Sequence, residues 1–380
     1  MTESRFHPLG LLRAFLRPID PQLMLILGAL LGYAYFLMIS ASPDRLEAQA
    51  INTVVALAAM WVAATISSQR MLSLALPLYI VGVVLLVAVE LFGEVSKGAQ
   101  RWLHVGVTRI QPSELMKIAM PLMLAWYFQQ REGQIAFRDF IVAGLLLVVP
   151  VGLILIQPDL GTSLLVTAAG FYVIFFAGLS WKLIVPVALV GIIGIGSIVA
   201  FGDTLCQPGV DWYGMREYQK HRVCTLLDPT QDPLGKGFHI IQSTIAIGSG
   251  GVLGKGWMAG TQTHLAFLPE RHTDFIFAVL AEELGLVGTI VLLIIYVLLL
   301  ARGFQISINA PTLASKLLGG AITMIFFTYA FVNMGMVSGI LPVVGVPLPF
   351  VSYGGTALVT LCLGVGILMS IQRSRLSSPK

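Results

Sequence analysis

Long apolar runs broken by short polar breaks dominate this chain from residue 22 onward. Ten such runs fall near 22–40, 49–67, 72–92, 113–128, 140–157, 161–179, 183–201, 275–301, 317–339 and 354–371. A helix needs about 20 apolar residues to cross a hydrocarbon core of about 30 Å, so the pattern predicts about ten transmembrane helices. The fourth run is short and polar at its start. The runs are leucine-rich and continuous, where the strands of a membrane barrel would alternate. The expected fold is therefore an all-α polytopic membrane protein forming one integral membrane domain over residues 1–380. A single long polar segment, 202–274, separates the seventh and eighth runs.

Composition agrees with this pattern. Hydrophobic residues make up 57% of the chain and charged residues 11%, far from soluble usage. Lysine and arginine then set the orientation. With the N-terminus inside, the inner segments carry Arg5, Arg13, Arg17, Arg70, Arg131, Arg138, Lys182, Arg302, Lys316, Arg373, Arg375 and Lys380. The short outer loops carry only Arg45, Lys97, Arg101 and Arg109. The long segment is left out of the count because long loops translocate largely regardless of charge. The distribution places both termini in the cytoplasm. The formal charge of +4 is mostly this topology signal, and nothing points to nucleic acid. The small residues at Ile39-Ser40-Ala41-Ser42 follow a run too long for a signal-peptide core, so the first helix is expected to stay uncleaved.

The long outer segment is not uniformly polar. Residues 240–251 form an apolar stretch too short to span and closed by glycines, which reads as a re-entrant or surface-lying segment. Two of the three cysteines, Cys206 and Cys224, also lie there. An oxidising exterior would permit a disulfide between them, and two free thiols is the competing reading. Cys362, in the last span, reads as a small core residue.

Chemistry gathers on the outer side. Asp274 stands with Glu270, Arg271 and His272 where the long segment meets the eighth span. Ionisable groups at bilayer depth are costly unless they line a wet cavity or find a partner, and they commonly mark function. Glu114 and Lys117 are three apart, so they share a helical face. Pro112 and Ser113 favour a helix start there, and Glu114 suits its positive end, but the dipole disfavours Lys117, which points to a functional or phosphate-binding role. Asp159 reads as a helix N-cap or as a carboxylate facing an acceptor or a metal. Arg101 beside Trp102 reads as an interfacial belt pair or as a phosphate-gripping fork. Glu282 and Glu283 read as buried pairing partners that hold the helix bundle together, with catalysis as the competing reading. The final outer loop, Leu341 to Gly355, is proline- and glycine-rich and suits either the mouth of a lipid-facing groove or a structural plug. The six histidines show no metal-ligand spacing, and no nucleophile elbow, phosphate-binding loop or dinucleotide fingerprint occurs.

Several motifs taken together resemble the SEDS family (shape, elongation, division and sporulation proteins). They are Gly98-Ala99-Gln100-Arg101-Trp102, Gln111-Pro112-Ser113-Glu114, Gln157-Pro158-Asp159-Leu160-Gly161-Thr162, Asp232-Pro233-Leu234-Gly235 running into Gln242-Ser243, His264 to Gly285, and Gly345 to Gly355. The Leu-Pro-Glu-Arg-His-Thr-Asp-Phe-Ile-Phe segment and the lack of long tails are most similar to the elongation branch. The resemblance implies ten helices with both termini inside a bacterial cytoplasmic (inner) membrane. It also implies a peptidoglycan glycosyltransferase that polymerises lipid II for cell elongation and rod shape. Its implied partner is a class B penicillin-binding protein, a transpeptidase, with other elongation-complex proteins. Asp274, Glu114 and Lys117 are then the expected catalytic residues. Arg101, Asp159, Lys255, Arg271 and Ser243 are the expected substrate-binding residues. A divalent cation, Mg or Mn, is the expected cofactor, and Asp274 is either the base or its ligand. A lipid II flippase or other transporter, and a non-catalytic scaffold of the cell-wall complex, are the alternatives. A transporter would carry charges near the midplane, reachable from both sides.

Overall fold

The computed structural model describes residues 17–96, 99–105, 108–207, 209–210, 212, 217–232, 235–264 and 270–377. Gly98, Pro233, Leu234 and residues 265–269 of the motifs above, and Arg5, Arg13, Lys97 and Lys380 of the charge count, lie outside them. Each apolar run has become a helix: α1 Pro21–Ala41, α2 Leu46–Thr65, then after a short α3 Ser68–Ser73, α4 Ala75–Phe92, α5 Pro112–Gln129, α6 Phe137–Ile156, α7 Leu160–Phe176 and α8 Trp181–Ala200. The long segment contributes α9 Gly202–Leu205, α10 Glu217–Leu227, α11 Lys236–Gly250 and α12 Thr261–His264. The last three runs form α13 Ile276–Ile308, α14 Leu313–Val337 and α15 Gly355–Ser377. Among the described residues, eight of these helices are long and apolar enough to cross a membrane, and α7 is a shorter apolar helix. The chain is a multi-pass membrane protein.

Helix starts follow local chemistry. Asp20 caps α1 by accepting from the Leu23 amide at 2.9 Å, with Pro21 at the first position, where its missing N–H costs nothing. Packing then assembles the bundle around α14. That helix lies against α5, α7 and α13, while α15 runs along α2 and α11 rests on α13. α8 stands apart and buries none of its residues. A helix that is apolar all round and unpacked suits hydrocarbon as its surroundings.

One element has no counterpart in the helical pattern. Between α4 and α5 the chain forms a three-stranded antiparallel sheet, β1 Glu94–Ser96, β2 Ala99–Val105 and β3 Thr108–Ile110. Trp102 pairs with Glu94, and His104 with Arg109.

The bundle has two polar ends. At one end Arg302 pairs with Asp20, Arg373 donates to the Thr65 carbonyl at 2.8 Å, and the Ala314 amide donates to Gln129 at 2.9 Å. The sheet, the α6–α7 turn, the 270–275 turn and the 341–353 loop lie at the helix ends opposite these.

Helix α13 is broken at Gly285, whose φ of +63° and ψ of −157° are not helical. The glycine loop after α11 fills the break. The amides of Leu286 and Val287 donate to the carbonyls of Gly251 and Val252 at 3.0 and 3.1 Å, and those of Lys255 and Gly256 donate to the carbonyls of Glu282 and Glu283, both at 3.0 Å. Irregular backbone at membrane depth is tolerated where protein satisfies it, and here the two segments satisfy each other. The glycine-closed segment of 240–251 is thus the end of helix α11 and its docking loop. Glu282 and Glu283 immediately precede the break and are fully buried. Glu282 accepts from Lys255 Nζ at 2.7 Å, and Glu283 accepts from the Ser40 hydroxyl.

Candidate functional site at one end of the bundle

The site begins with α5. Pro112 starts the helix, which places Glu114 in the first turn and Lys117 one turn deeper. The Lys117 ammonium is 3% exposed. It donates to Glu114 Oε1 at 2.5 Å and to the Tyr329 hydroxyl at 2.7 Å. The second Glu114 oxygen accepts from Thr360 on α15 at 3.1 Å. Helices α5, α14 and α15 are therefore joined through one ion pair and its hydrogen bonds. A buried pair of this kind is tolerable because partners satisfy both charges.

Asp159 is the N-cap of α7 and also pairs with the sheet. Oδ1 caps α7 by accepting from the Thr162 amide at 3.1 Å, while Oδ2 accepts from Gln111 at 3.1 Å and lies 3.8 Å from Arg101 Nε. Arg101 reaches it from β2. Alternation along the strand sends Arg101 and the buried Leu103 to one face, and Arg101 Nη2 donates to the Pro158 carbonyl at 2.8 Å. The sheet that the helical pattern missed is what delivers this guanidinium. Glycines at 93, 98 and 106 bracket the short run Gln100 to Val105, with Trp102 and Val105 as strand formers, and were the available signal for it.

Asp274 lies in the turn that leads into α13. The Thr273 and Phe275 amides both donate to the Glu270 carbonyl, closing the turn. The 341–353 loop clasps it: the Tyr353 amide donates to the His272 carbonyl at 2.8 Å, and the Ser352 hydroxyl donates to the Thr273 carbonyl. Asn333 Nδ2, fully buried on α14, donates to the Asp274 carbonyl at 2.8 Å and to the Val346 carbonyl at 2.7 Å. Burial, then the Arg45 guanidinium, hold the His272 imidazole below its ordinary value of 6.5, against the pull of Glu270 and Asp44.

The final loop is the keystone between these groups. A Cβ on Gly345 would stand 3.3 Å from Asp274 Oδ2, and one on Gly161 would stand 2.9 Å from the Val344 carbonyl. The α7 start that carries Asp159 thus abuts one side of the loop, and the Asp274 carboxylate abuts the other. Val346, Leu348, Phe350 and Val351 of the loop are buried, so it is a packed plug that sets the spacing of the site. Two residues absent from the sequence reading complete this arrangement. Tyr329 and Asn333 are four apart on α14 and so share a face; one holds Lys117 and the other holds the backbone of Asp274. Each reads in sequence as an ordinary polar residue of an apolar helix.

Of the remaining expected residues, Lys255 and Ser243 lie elsewhere. Lys255 is committed to Glu282 and to the Thr261 hydroxyl. The Ser243 hydroxyl donates to the Val337 carbonyl at 2.8 Å and is fully buried. Arg271 lies half-buried in the Asp274 turn. Cys206 and Cys224 are joined as a disulfide, with Cα atoms 5.6 Å apart. Among the described residues, no three His, Cys, Asp or Glu side chains are grouped to hold a metal ion. The donor set does not fit a protein-built cation site, which needs several oxygens converging at one point.

Fold and site together define a polytopic membrane protein with Arg101, Glu114, Lys117, Asp159 and Asp274 gathered at one end of the helix bundle. The family model for cell cycle proteins that covers FtsW, RodA and SpoVE matches residues 22–377, and the chain belongs to that family. It is 50% identical over 360 residues to the peptidoglycan glycosyltransferase MrdB of Escherichia coli (strain K12), covering 94% of each chain. It is 33% identical over 353 residues to the peptidoglycan glycosyltransferase RodA of Treponema pallidum (strain Nichols), covering 77% of this chain and 82% of that one. Among solved structures it superposes with a TM-score of 0.77 and 35% identity on a chain from a study of polymerization and crosslinking by a peptidoglycan synthase complex, covering 94% of this chain and 99% of that one. The rod shape-determining protein RodA of Thermus thermophilus gives a TM-score of 0.69 at 30% identity, covering 94% of this chain and 98% of that one.

Proposed function

We propose that this protein is the peptidoglycan glycosyltransferase of a bacterial elongation complex, polymerising lipid II at the outer face of the cytoplasmic membrane with both its termini inside. The observation that carries the reading is the placement at one end of the bundle of the Asp274 carboxylate, the buried Glu114–Lys117 pair and the Arg101–Asp159 pair, with Asp274 and the start of the helix that Asp159 caps both set against the 341–353 loop. Asp274 takes the proton from an incoming GlcNAc 4-hydroxyl. The freed oxygen forms a bond to the anomeric carbon of the donor sugar while the bond from that carbon to the diphosphate breaks. The α-linked donor becomes a β-1,4 linkage by single displacement, and undecaprenyl pyrophosphate leaves. Negative charge grows on the leaving group, and fixed cations stabilise it more in the transition state than in the ground state. Arg101 and Lys117 supply those charges, with Glu114 and Tyr329 fixing Lys117 in place. A divalent cation enters this reading as the counter-ion of the diphosphate, since Mg2+ commonly binds through substrate phosphates. A class B penicillin-binding protein is the proposed partner that crosslinks the strands. The clustering at one end of the bundle argues against a transporter, whose charges would be reached from both faces.

The test is purified protein with lipid II in the presence of penicillin, resolving glycan chains on a gel. Wild type should make chains, and Asp274→Ala should make none while expressing and binding its partner normally. A purified Asp274→Ala protein polymerising at the wild-type rate would remove Asp274 as the base.

A further inference from the structure

A glycosyltransferase of this kind has to seat two lipid-linked sugars, and Arg101 and Lys117 serve only one of them. The first bond made joins two lipid II molecules, and each brings its own diphosphate. One diphosphate leaves. The other stays on the molecule that supplies the attacking hydroxyl, and that molecule belongs on the Asp274 side of the 341–353 loop. The opposite side is taken by Gly161 and the helix start that Asp159 caps.

A guanidinium stands on the Asp274 side. Arg45 ends the short turn Pro43–Arg45 between α1 and α2. Its guanidinium carbon lies 5.4 Å from the centroid of the Tyr353 ring, a cation–π contact. The same ring meets the His272 imidazole edge-on at 5.6 Å, and the Tyr353 amide donates to the His272 carbonyl at 2.8 Å. One aromatic residue therefore fixes Arg45 to the turn that carries Asp274. Asp44 is 3.9 Å from the guanidinium, beyond hydrogen-bond reach, and among the described residues none accepts a hydrogen bond from it. Gln49, four residues on, shares the Arg45 face of α2. It is fully buried, and among the described residues neither atom of its side-chain amide has a hydrogen-bond partner. Asn52, on the next turn, lies against the start of α15, where a Cβ on Gly355 would stand 3.0 Å from its Oδ1. The strip of α2 that meets Tyr353 and Gly355 thus carries a cation and an amide whose donors are uncommitted. A buried amide left open calls for an explanation, and an anion with several acceptor oxygens supplies one.

We propose that Arg45, braced on Tyr353 and with the Gln49 amide behind it, binds the diphosphate of the acceptor lipid. The identity of that lipid rests on the function proposed above; the anion subsite stands on the placement of Arg45 and Gln49. A planar fork suits a phosphate here better than a point charge would.

The experiment separates acceptor from donor by chemistry. Lipid II blocked at the GlcNAc 4-hydroxyl donates but cannot accept. A lipid II analogue with a methylene in place of the anomeric oxygen accepts but cannot donate, and an analogue with a neutral ether in place of the diphosphate is the control. Full-length protein receives the blocked donor and one acceptor, and the single coupled product is followed over acceptor concentration. Arg45→Gln should raise the KM of the diphosphate acceptor about tenfold, or about 1.4 kcal/mol. The KM of the donor and that of the neutral acceptor should stay as in wild type. Arg45→Lys should recover part of the loss, and Gln49→Met should raise the charged acceptor's KM about threefold. An unchanged KM in Arg45→Gln overturns the subsite, and an unchanged KM in Gln49→Met overturns the part given to the amide. Equal rises for the charged and neutral acceptors make Arg45 a structural residue and also overturn the assignment. If the wild type couples nothing, the glycosyltransferase reading fails and binding decides the subsite. Thermophoresis of the charged acceptor in detergent, with the blocked donor saturating, should then show about tenfold weaker binding to Arg45→Gln than to wild type, and equal binding overturns it.

Discussion

Removing the Lys117 ammonium should damage both the fold and the chemistry, in amounts that can be separated. Lys117→Met keeps most of the side-chain volume and deletes the charge, leaving Glu114 in a site where its side chain is 14% exposed. Its one remaining side-chain partner there is Thr360, and the Tyr329 hydroxyl loses its contact as well. Breaking a buried ion pair from one side costs about 3–5 kcal/mol, because the other charge stays desolvated. The small exposure of Glu114 places the expected loss at the lower end, about 3 kcal/mol. At about 2 °C per kcal/mol for a large domain, the midpoint in detergent should fall by roughly 6 °C. Adding Glu114→Gln removes the stranded charge and should return more than half of that loss. Polymerisation should be strongly reduced in both proteins, since neither carries the cation. Lys117→Arg should restore only part of the activity, because a planar fork does not reproduce the reach of a point charge. Thermal unfolding followed by intrinsic fluorescence, with a gel assay on lipid II, reads both quantities. A single variant as stable as wild type, or a double variant no more stable than the single, refutes the energetic argument. A fully active Lys117→Met protein refutes the chemical one.

Gly345→Ala meets two obstacles, a φ of +77° and a Cβ 3.3 Å from Asp274 Oδ2. Glycan synthesis should fall at least tenfold with a loss of about 1 kcal/mol in stability, and normal synthesis in a gel assay would show that the loop does not set the carboxylate. Gly285→Ala would place its Cβ 2.3 Å from the Gly254 amide nitrogen at a φ of +63°. It should lower the midpoint and raise hydrogen exchange at residues 251–256 by undocking the glycine loop from α13, and unchanged exchange would count against the docking. For His272, the depressed folded-state value means that the unfolded chain binds the extra proton first. The stabilisation of the clasped turn should therefore be present above about pH 6.5 and be lost as pH falls through the lower folded value, with His272→Gln flattening that part of the stability profile. A variant whose acid-limb profile matches wild type would exclude His272 as the cause.

Sequence alone determined the membrane class, the positions of the helices and the unusual placement of charges at Glu114, Lys117, Asp159 and Asp274. Hydropathy reports transfer into hydrocarbon, a local property of each segment, and a charge in such a segment stands out against it. The same logic found Glu282 and Glu283 as buried partners, although it gave no sign that Lys255 was the cation opposite Glu282. What the sequence left open was pairing across distance. The sheet that carries Arg101 depends on inter-strand hydrogen bonds over a run too short to compete with the helical pattern around it. Tyr329 and Asn333 acquire their meaning only when α14 packs against α5 and the 270–275 turn. Cys206 and Cys224 could be read as a disulfide or as two free thiols, and only the fold, by bringing their Cα atoms to 5.6 Å, joined them. Asp159 could be read as a cap or as a site carboxylate because each of its two oxygens has its own role. Only the tertiary structure, by setting Arg101 and Gln111 beside one oxygen and the α7 amide beside the other, decided that it caps the helix and pairs with the sheet at once.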